Sequence, residues 1–458
     1  MTVSALDAAC GTHTEPSRRG GVSWWRPLLT RTQTAAIVTT PGISVAFLAL
    51  IAFTVILLLS PQAWVPSLKI VRIAFLAAGI AMAGQVVEQT IRRRPITPPS
   101  PEIGIALALV CWAVLTIPLS SWPGGSVRVL IDQYLKAVAF FWLLGSVITS
   151  TGRLRVMAWT LVLCAIPLAA TGIGNYLSGE HLSTGVRGFY RIAGYTGGAG
   201  LTGNPNDLAL MLNLILPIAG VLVFMTRGVS RAVAVAAVLL SLAAIVLTFS
   251  RAGFLTLAAS FVMLLAVLAR RKAPGAAVGL LLLVLCVPPL LPAGYIARLG
   301  TIANIEADAT GSAQGRWQDT KVAVGLVAKN PIIGVGIGQD MLAMNEERGA
   351  TWRQVHNAYL QYGVDLGIPG LLLFVWLHAL CFLTARAVEK RAADNPAHRD
   401  LGLLAVGVQV SLVAFAVAAM FHPIAYQFYF FTIAGLAVAL KNTCRADIVQ
   451  MPIARSVS

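Results

Sequence analysis

The amino-acid sequence predicts an all-α integral membrane protein of about twelve transmembrane helices with one large external loop. Three observations predict it. The 458 residues are 57% hydrophobic and only 11% charged, where a soluble domain averages about 25% charged, and the mean hydropathy is +0.78. Apolar runs close to the roughly 20 residues that a bilayer-crossing helix needs recur along the chain. The cations fall in short clusters between those runs, which is how a polytopic protein encodes its orientation.

The elements follow in order. Residues 1–41 are polar, carry Arg18, Arg19, Arg26 and Arg31, and show no short apolar core ahead of a small-residue cleavage site. They read as a cytoplasmic tail that is kept. Nine spans lie within 42–293, at 42–60, 70–87, 103–120, 134–150, 156–177, 206–226, 232–249, 252–269 and 275–293, with a loop at 178–205. Residues 294–360 form by far the longest connection. Spans at 364–385, 401–420 and 423–440 fill 361–441, and 442–458 form a second tail.

Alternate connections and both tails hold 21 of the 34 lysines and arginines, in clusters such as Arg92-Arg93-Arg94 and Arg270-Arg271-Lys272. The positive-inside rule therefore places both termini in the cytoplasm and loops 178–205, 250–251 and 294–360 outside, which in a bacterium is the periplasmic side of the inner membrane. The net charge of +16 is a topology device, and no nucleic-acid partner is expected. Cys111, Cys164, Cys286 and Cys381 fall in spans and Cys10 and Cys444 in tails, so no disulfide or metal cluster is expected. No GxGxxG, Walker-type or HExxH motif occurs, so no cofactor is expected. A reaction outside the cell would use a donor that arrives already activated in the membrane.

Within this frame a few polar residues can carry chemistry. His356, next to Asn357 at the end of the long loop, titrates near neutrality and can accept a proton from a hydroxyl. Taken alone it reads more readily as an interfacial histidine with no role; its place beside the membrane among several cations, in the one large loop, shifts the balance to chemistry. His422, at the external end of span eleven, is a weaker candidate, and His378 reads as structural. Residues 312–330 have partial helical spacing at Trp317, Val322, Val324, Leu326 and Val327 and end at Asn330-Pro331, which suggests an amphipathic surface helix. On it, Arg316 and Lys321 either snorkel to headgroups or bind phosphate, for which a guanidinium offers a matching fork of donors. Arg251, between two apolar runs in Ser250-Arg251-Ala252-Gly253, is costly to place there and reads as functional or paired. Five glycines in 194–203 lead into Asn204-Pro205-Asn206, where asparagine is a natural helix cap. The helix start with Arg191 is also a possible anion or sugar site. Gly334, Gly336 and Gly338 let the long loop fold back on the membrane.

In order, Asn204-Pro205-Asn206, Ser250-Arg251-Ala252-Gly253, Arg316-Trp317, Pro331-Ile-Ile-Gly334-Val-Gly336, His356-Asn357-Ala-Tyr-Leu360 and Gly367-Ile-Pro-Gly370 resemble the shared region of the O-antigen ligase and polymerase superfamily, over roughly residues 185–375. The resemblance implies a C-type membrane glycosyltransferase that is metal-independent and inverting. It implies a polyprenyl diphosphate-linked glycan donor and a glycan, lipid A core or protein acceptor, with membrane lipids around it. It implies His356, Arg316 and Arg251 as catalytic residues and Arg191, Asn204, Asn206 and Asn357 as substrate-binding residues. Trp317 directly follows Arg316 instead of lying a few residues later, and the segment from Arg316 to His356 is short; both leave the acceptor class open. The competing reading, a polytopic transporter of polysaccharide or lipid-linked oligosaccharide, predicts related halves and midplane charges. The sequence shows no half-repeat and few ionisable groups inside spans.

Overall fold

The computed structural model describes residues 44–449, apart from positions 64, 66, 180–181, 184–189, 195–200, 286–288, 290, 293, 305, 307, 309–310, 350–351 and 394. The expected tail 1–41, residues 450–458, and His13, His181, Cys10 and Cys286 lie outside the described residues.

Among the described residues each apolar stretch holds a helix. The first nine are α1 (Val45–Leu59), α3 (Ile73–Ile91, preceded by the short α2, Ser67–Val71), α4 (Pro101–Thr116), α6 (Leu135–Val147), α7 (Thr151–Leu177), α8 (Pro205–Met225), α9 (Gly228–Leu247), α10 (Arg251–Arg270) and α11 (Pro274–Leu285). A short α5 (Pro123–Val129) and a π-helical turn at Leu130–Tyr134 lead into α6. The long connection contains α12 (Tyr295–Gly300), α13 (Ser312–Lys329) and α14 (Asp340–Arg348), and α15 (Ala358–Ala393), α16 (Arg399–Ala418) and α17 (Phe428–Val449) follow it. Eight helices are long and apolar enough to cross a membrane by length and composition. This is an all-helical membrane protein; its sheet, among the described residues, is one ladder pairing Leu182 with Arg191 and Ser183 with Tyr190.

Caps explain where helices start earlier than hydropathy alone suggests. Ser150 accepts from Arg153 N, so α7 begins at Thr151, not near 156. Asn357 Oδ1 accepts from Tyr359 N and Leu360 N, so α15 begins at Ala358, six residues ahead of the expected span. α13 begins at Ser312, as the spacing over 312–330 suggests, with Gly315 inside its first turn. α17 runs on to Val449, past the expected boundary at 441.

The core lies where α15, α16 and α17 meet. Tyr362, Phe374, Phe415, Phe430 and Phe431 are essentially without solvent exposure, and Tyr362 stacks on Phe374 at 4.2 Å between centroids. Around this centre α17 packs on α6, α16 on α8 and α10, and α15 on α4 and α13. The last pairing sets the loop on the bundle.

The glycine-rich turn is the seam. Val335 N donates to Val364 O at 2.8 Å, Gly336 N to Asp365 O at 2.9 Å and Gly338 N to Asp365 Oδ2 at 2.9 Å. Ile368 N returns a bond to Pro331 O. Here α15 leaves helical geometry at Gly367, whose φ is 68°. The loop thus folds back, as its glycines suggest, but its partner is a broken helix. Gly336 has φ 106°, and a Cβ there would stand 2.0 Å from Ser120 Oγ. Gly336→Ala is therefore expected to cost about 1–3 kcal/mol in backbone strain alone, read as a lowered unfolding temperature of the detergent-solubilised protein.

Candidate active site

The N-terminal ends of α8, α10 and α15 and the turn between α16 and α17 gather at one end of the bundle, and the long connection closes over them. The side chains singled out from sequence meet there.

Arg191 comes from the short ladder. Its Nε donates to Thr248 O at 2.9 Å and its Nη2 to Asn206 Oδ1 at 2.8 Å. Asn206 Oδ1 also accepts from Ser250 Oγ at 2.8 Å. Ser250 in turn caps α10 by accepting from Gly253 N. One asparagine oxygen thus ties the start of α8 to the start of α10. Asn204 caps α8 through Asn206 N and Asp207 N. The expected Asn204 cap is present.

Arg251 is the first residue of α10, whose first turn holds no acidic residue. A cation at this end opposes the helix dipole, so the position invites an anion. Its guanidinium donates to Thr301 Oγ1 at 2.8 Å and to Asp308 Oδ2 at 2.9 Å. Asp308 Oδ1 accepts from Arg298 at 2.8 Å, and Oδ2 also accepts from Ala313 N at 3.0 Å. One fully buried carboxylate therefore links Arg251, Arg298 and the start of α13, the helix that carries Arg316. No local pattern marks Asp308, since its partner Arg251 is 57 residues away. Arg298 was visible only as one loop cation among several.

Arg316 is half-buried, and its guanidinium makes no hydrogen bond among the described residues. Burial, then the nearby Arg251 and Arg298, push it down to about 10. Arg191 is likewise pushed down to about 10 by burial and then by Arg298, Arg316 and Arg251. Four guanidiniums repel one another here. Such a cluster gains from a bound anion that accepts several of their hydrogen bonds.

His356 lies within electrostatic reach of Arg316, Arg353 and His422. Its Nδ1 stands 3.0 Å from Gln354 O, an acceptor. Nδ1 must then carry the proton, which leaves Nε2 with its lone pair. Burial, then Arg316, push the imidazole down to about 4, so it is a neutral base at physiological pH. Its position comes from both sides. Asp340 Oδ2 accepts from Val355 N at 2.9 Å, and Ala358 N donates to Ala419 O at 2.7 Å.

His422, the weaker sequence candidate, proves central. Its Nδ1 is 2.8 Å from Ala418 O and its Nε2 is 3.3 Å from Asn206 O, which joins the α16–α17 turn to α8. His378 is stacked on Phe430 inside the bundle, away from these residues. Asn204, Asn206 and Asn357, expected to bind substrate, all spend their side-chain oxygens on the protein.

Residues 236–375 match the family model for O-antigen ligase. Over this stretch the chain is similar to the O-antigen ligase family. No curated protein matches the chain. The ligase match takes in Arg251, Arg298, Asp308, Arg316 and His356 and ends within α15; Arg191, Asn206 and His422 complete the cluster from outside it. The match supports glycan transfer of the ligase or polymerase type.

Proposed function

We propose that the protein transfers a glycan from a polyprenyl diphosphate to an acceptor hydroxyl at the external membrane face, as a polysaccharide polymerase or ligase. One observation carries this reading: a half-buried group of four arginines, one of which makes no hydrogen bond among the described residues, stands beside a histidine whose Nε2 is left as a base. The family match supports the reaction type.

In the proposed step the acceptor oxygen attacks the anomeric carbon. The bond from that carbon to the diphosphate oxygen breaks, its electron pair stays on the phosphate, and the acceptor proton passes to His356 Nε2. Arg316 and Arg251, with Arg191 and Arg298 behind them, stabilise the charge that grows on the leaving group. The arginines supply that counter-charge, so the step is metal-independent, and a single displacement inverts the anomeric centre. Energy comes from the diphosphate linkage. All twelve apolar helices span the membrane in this reading, both termini are cytoplasmic, and the connection 294–360 lies outside.

The test is a gene deletion carrying a plasmid copy, with surface polysaccharide resolved on gels. Accumulated single repeat units on deletion, reversed by the plasmid, identify a polymerase. Full-length polymer left on its lipid carrier identifies a ligase. A normal ladder in the deletion strain removes the transferase reading and revives transport.

A further inference from the structure

Asp308 lies among the very arginines that the proposed reaction uses to hold a diphosphate. Its carboxylate is fully buried, bonded to Arg251 and Arg298 and to the first turn of α13. Among the charges acting on Arg316, those of Arg251, Arg298 and Arg353 oppose its own, and that of Asp308 favours it. A purely attractive cluster would not need this acid. Arg251 and Arg298 could have been held by neutral acceptors, as Arg191 is by Thr248 O and Asn206 Oδ1.

The chemistry of the leaving group gives the acid a role. A diphosphate bonded at both ends carries about two negative charges, and loss of the glycan exposes a terminal phosphate that carries more. Donors arranged for the transition state therefore also grip the product, and turnover needs that product to leave. A fixed negative charge a few ångströms away weakens the grip.

We infer that Asp308 is a resident counter-anion: it holds Arg251 and Arg298 in place while the site is empty and limits how tightly the site retains the diphosphate after transfer. The inference rests on the proposed donor. Asp308 is thus a positioning residue with an electrostatic task, and the sign of its effect on anion binding separates that task from a purely structural one.

The experiment measures inorganic pyrophosphate binding to the full-length protein in detergent, alongside steady-state transfer. Asp308→Asn keeps an oxygen for Ala313 N and removes the charge. It is expected to bind pyrophosphate about tenfold more tightly, the scale of removing one charge near a bound anion, and to show a lower kcat without a higher KM. Asp308→Glu should bind as the wild type does. The double variant Arg298→Gln with Asp308→Asn, which restores the net charge, should return towards wild-type binding. Weaker or unchanged pyrophosphate binding in a folded Asp308→Asn protein overturns the inference. The donor reading fails separately: wild-type protein and Arg316→Ala would then bind pyrophosphate equally weakly, and the inference would fall with it.

Discussion

His356→Gln is expected to lower the transfer rate by about 10²–10⁴-fold, the range for loss of a general base, with the protein still folded. Glutamine preserves size and a polar tip but cannot take the acceptor proton. The structure predisposes His356 to that task, because the Gln354 carbonyl fixes the proton on Nδ1 and leaves Nε2 open. Its pH behaviour is distinctive. Burial and then Arg316 hold the free-enzyme imidazole down to about 4. The base form is therefore complete at neutral pH and is lost only as pH falls through that value. The acid limb of kcat/KM, which reports free enzyme, should lie well below the usual histidine range. Bound diphosphate adds negative charge beside Arg316 and raises the imidazole again, so the acid limb of kcat should sit at higher pH. Coincident limbs near 6.5 would contradict this placement of His356, and an unchanged rate in His356→Gln would remove it as the base.

Arg316→Ala is expected to lower kcat by about 10²–10³-fold, the cost of removing one preorganised donor to a developing charge. Donor KM should change less, because Arg191, Arg251 and Arg298 remain to attract the ground-state anion. Arg316→Lys keeps the charge but loses the forked donor pair, so it should fall between wild type and alanine. Reconstituted kinetics with a defined lipid-linked donor measure both. A variant in which KM rises while kcat holds would reduce Arg316 to a general attractor. Arg316 differs from its neighbours in a way that makes this test sharp: Arg191, Arg251 and Arg298 are bonded to protein oxygens, and among the described residues Arg316 is not.

Much of this was legible in the chain, and the limits have physical causes. Helix positions follow from apolar runs and from local caps, and Asn204 performs the capping role its neighbours suggest. The candidates Arg191, Arg251, Arg316 and His356 do converge, because each was marked by an immediate context that made it costly or poised. Asp308 was invisible because its meaning comes from residues far along the chain. His422 was underrated because nothing local says that its ring reaches Asn206. The three asparagines expected to bind substrate also have structural work. Each lies at the right end of the bundle, but capping and cross-linking account for its oxygen before any substrate arrives.

The seam between the glycine-rich turn and α15 has a consequence in time. Amide protons of Val335, Gly336 and Gly338 point at acceptors of Val364 and Asp365, and Asp365 is fully buried. They can exchange with solvent only when the turn lifts off the bundle. This turn should therefore exchange on the slow clock of the helices around it, not on that of a surface loop. Residues 331–338 and the first half of α15 should open together as one cooperative unit, and the interval between such openings sets how often this seam is remade.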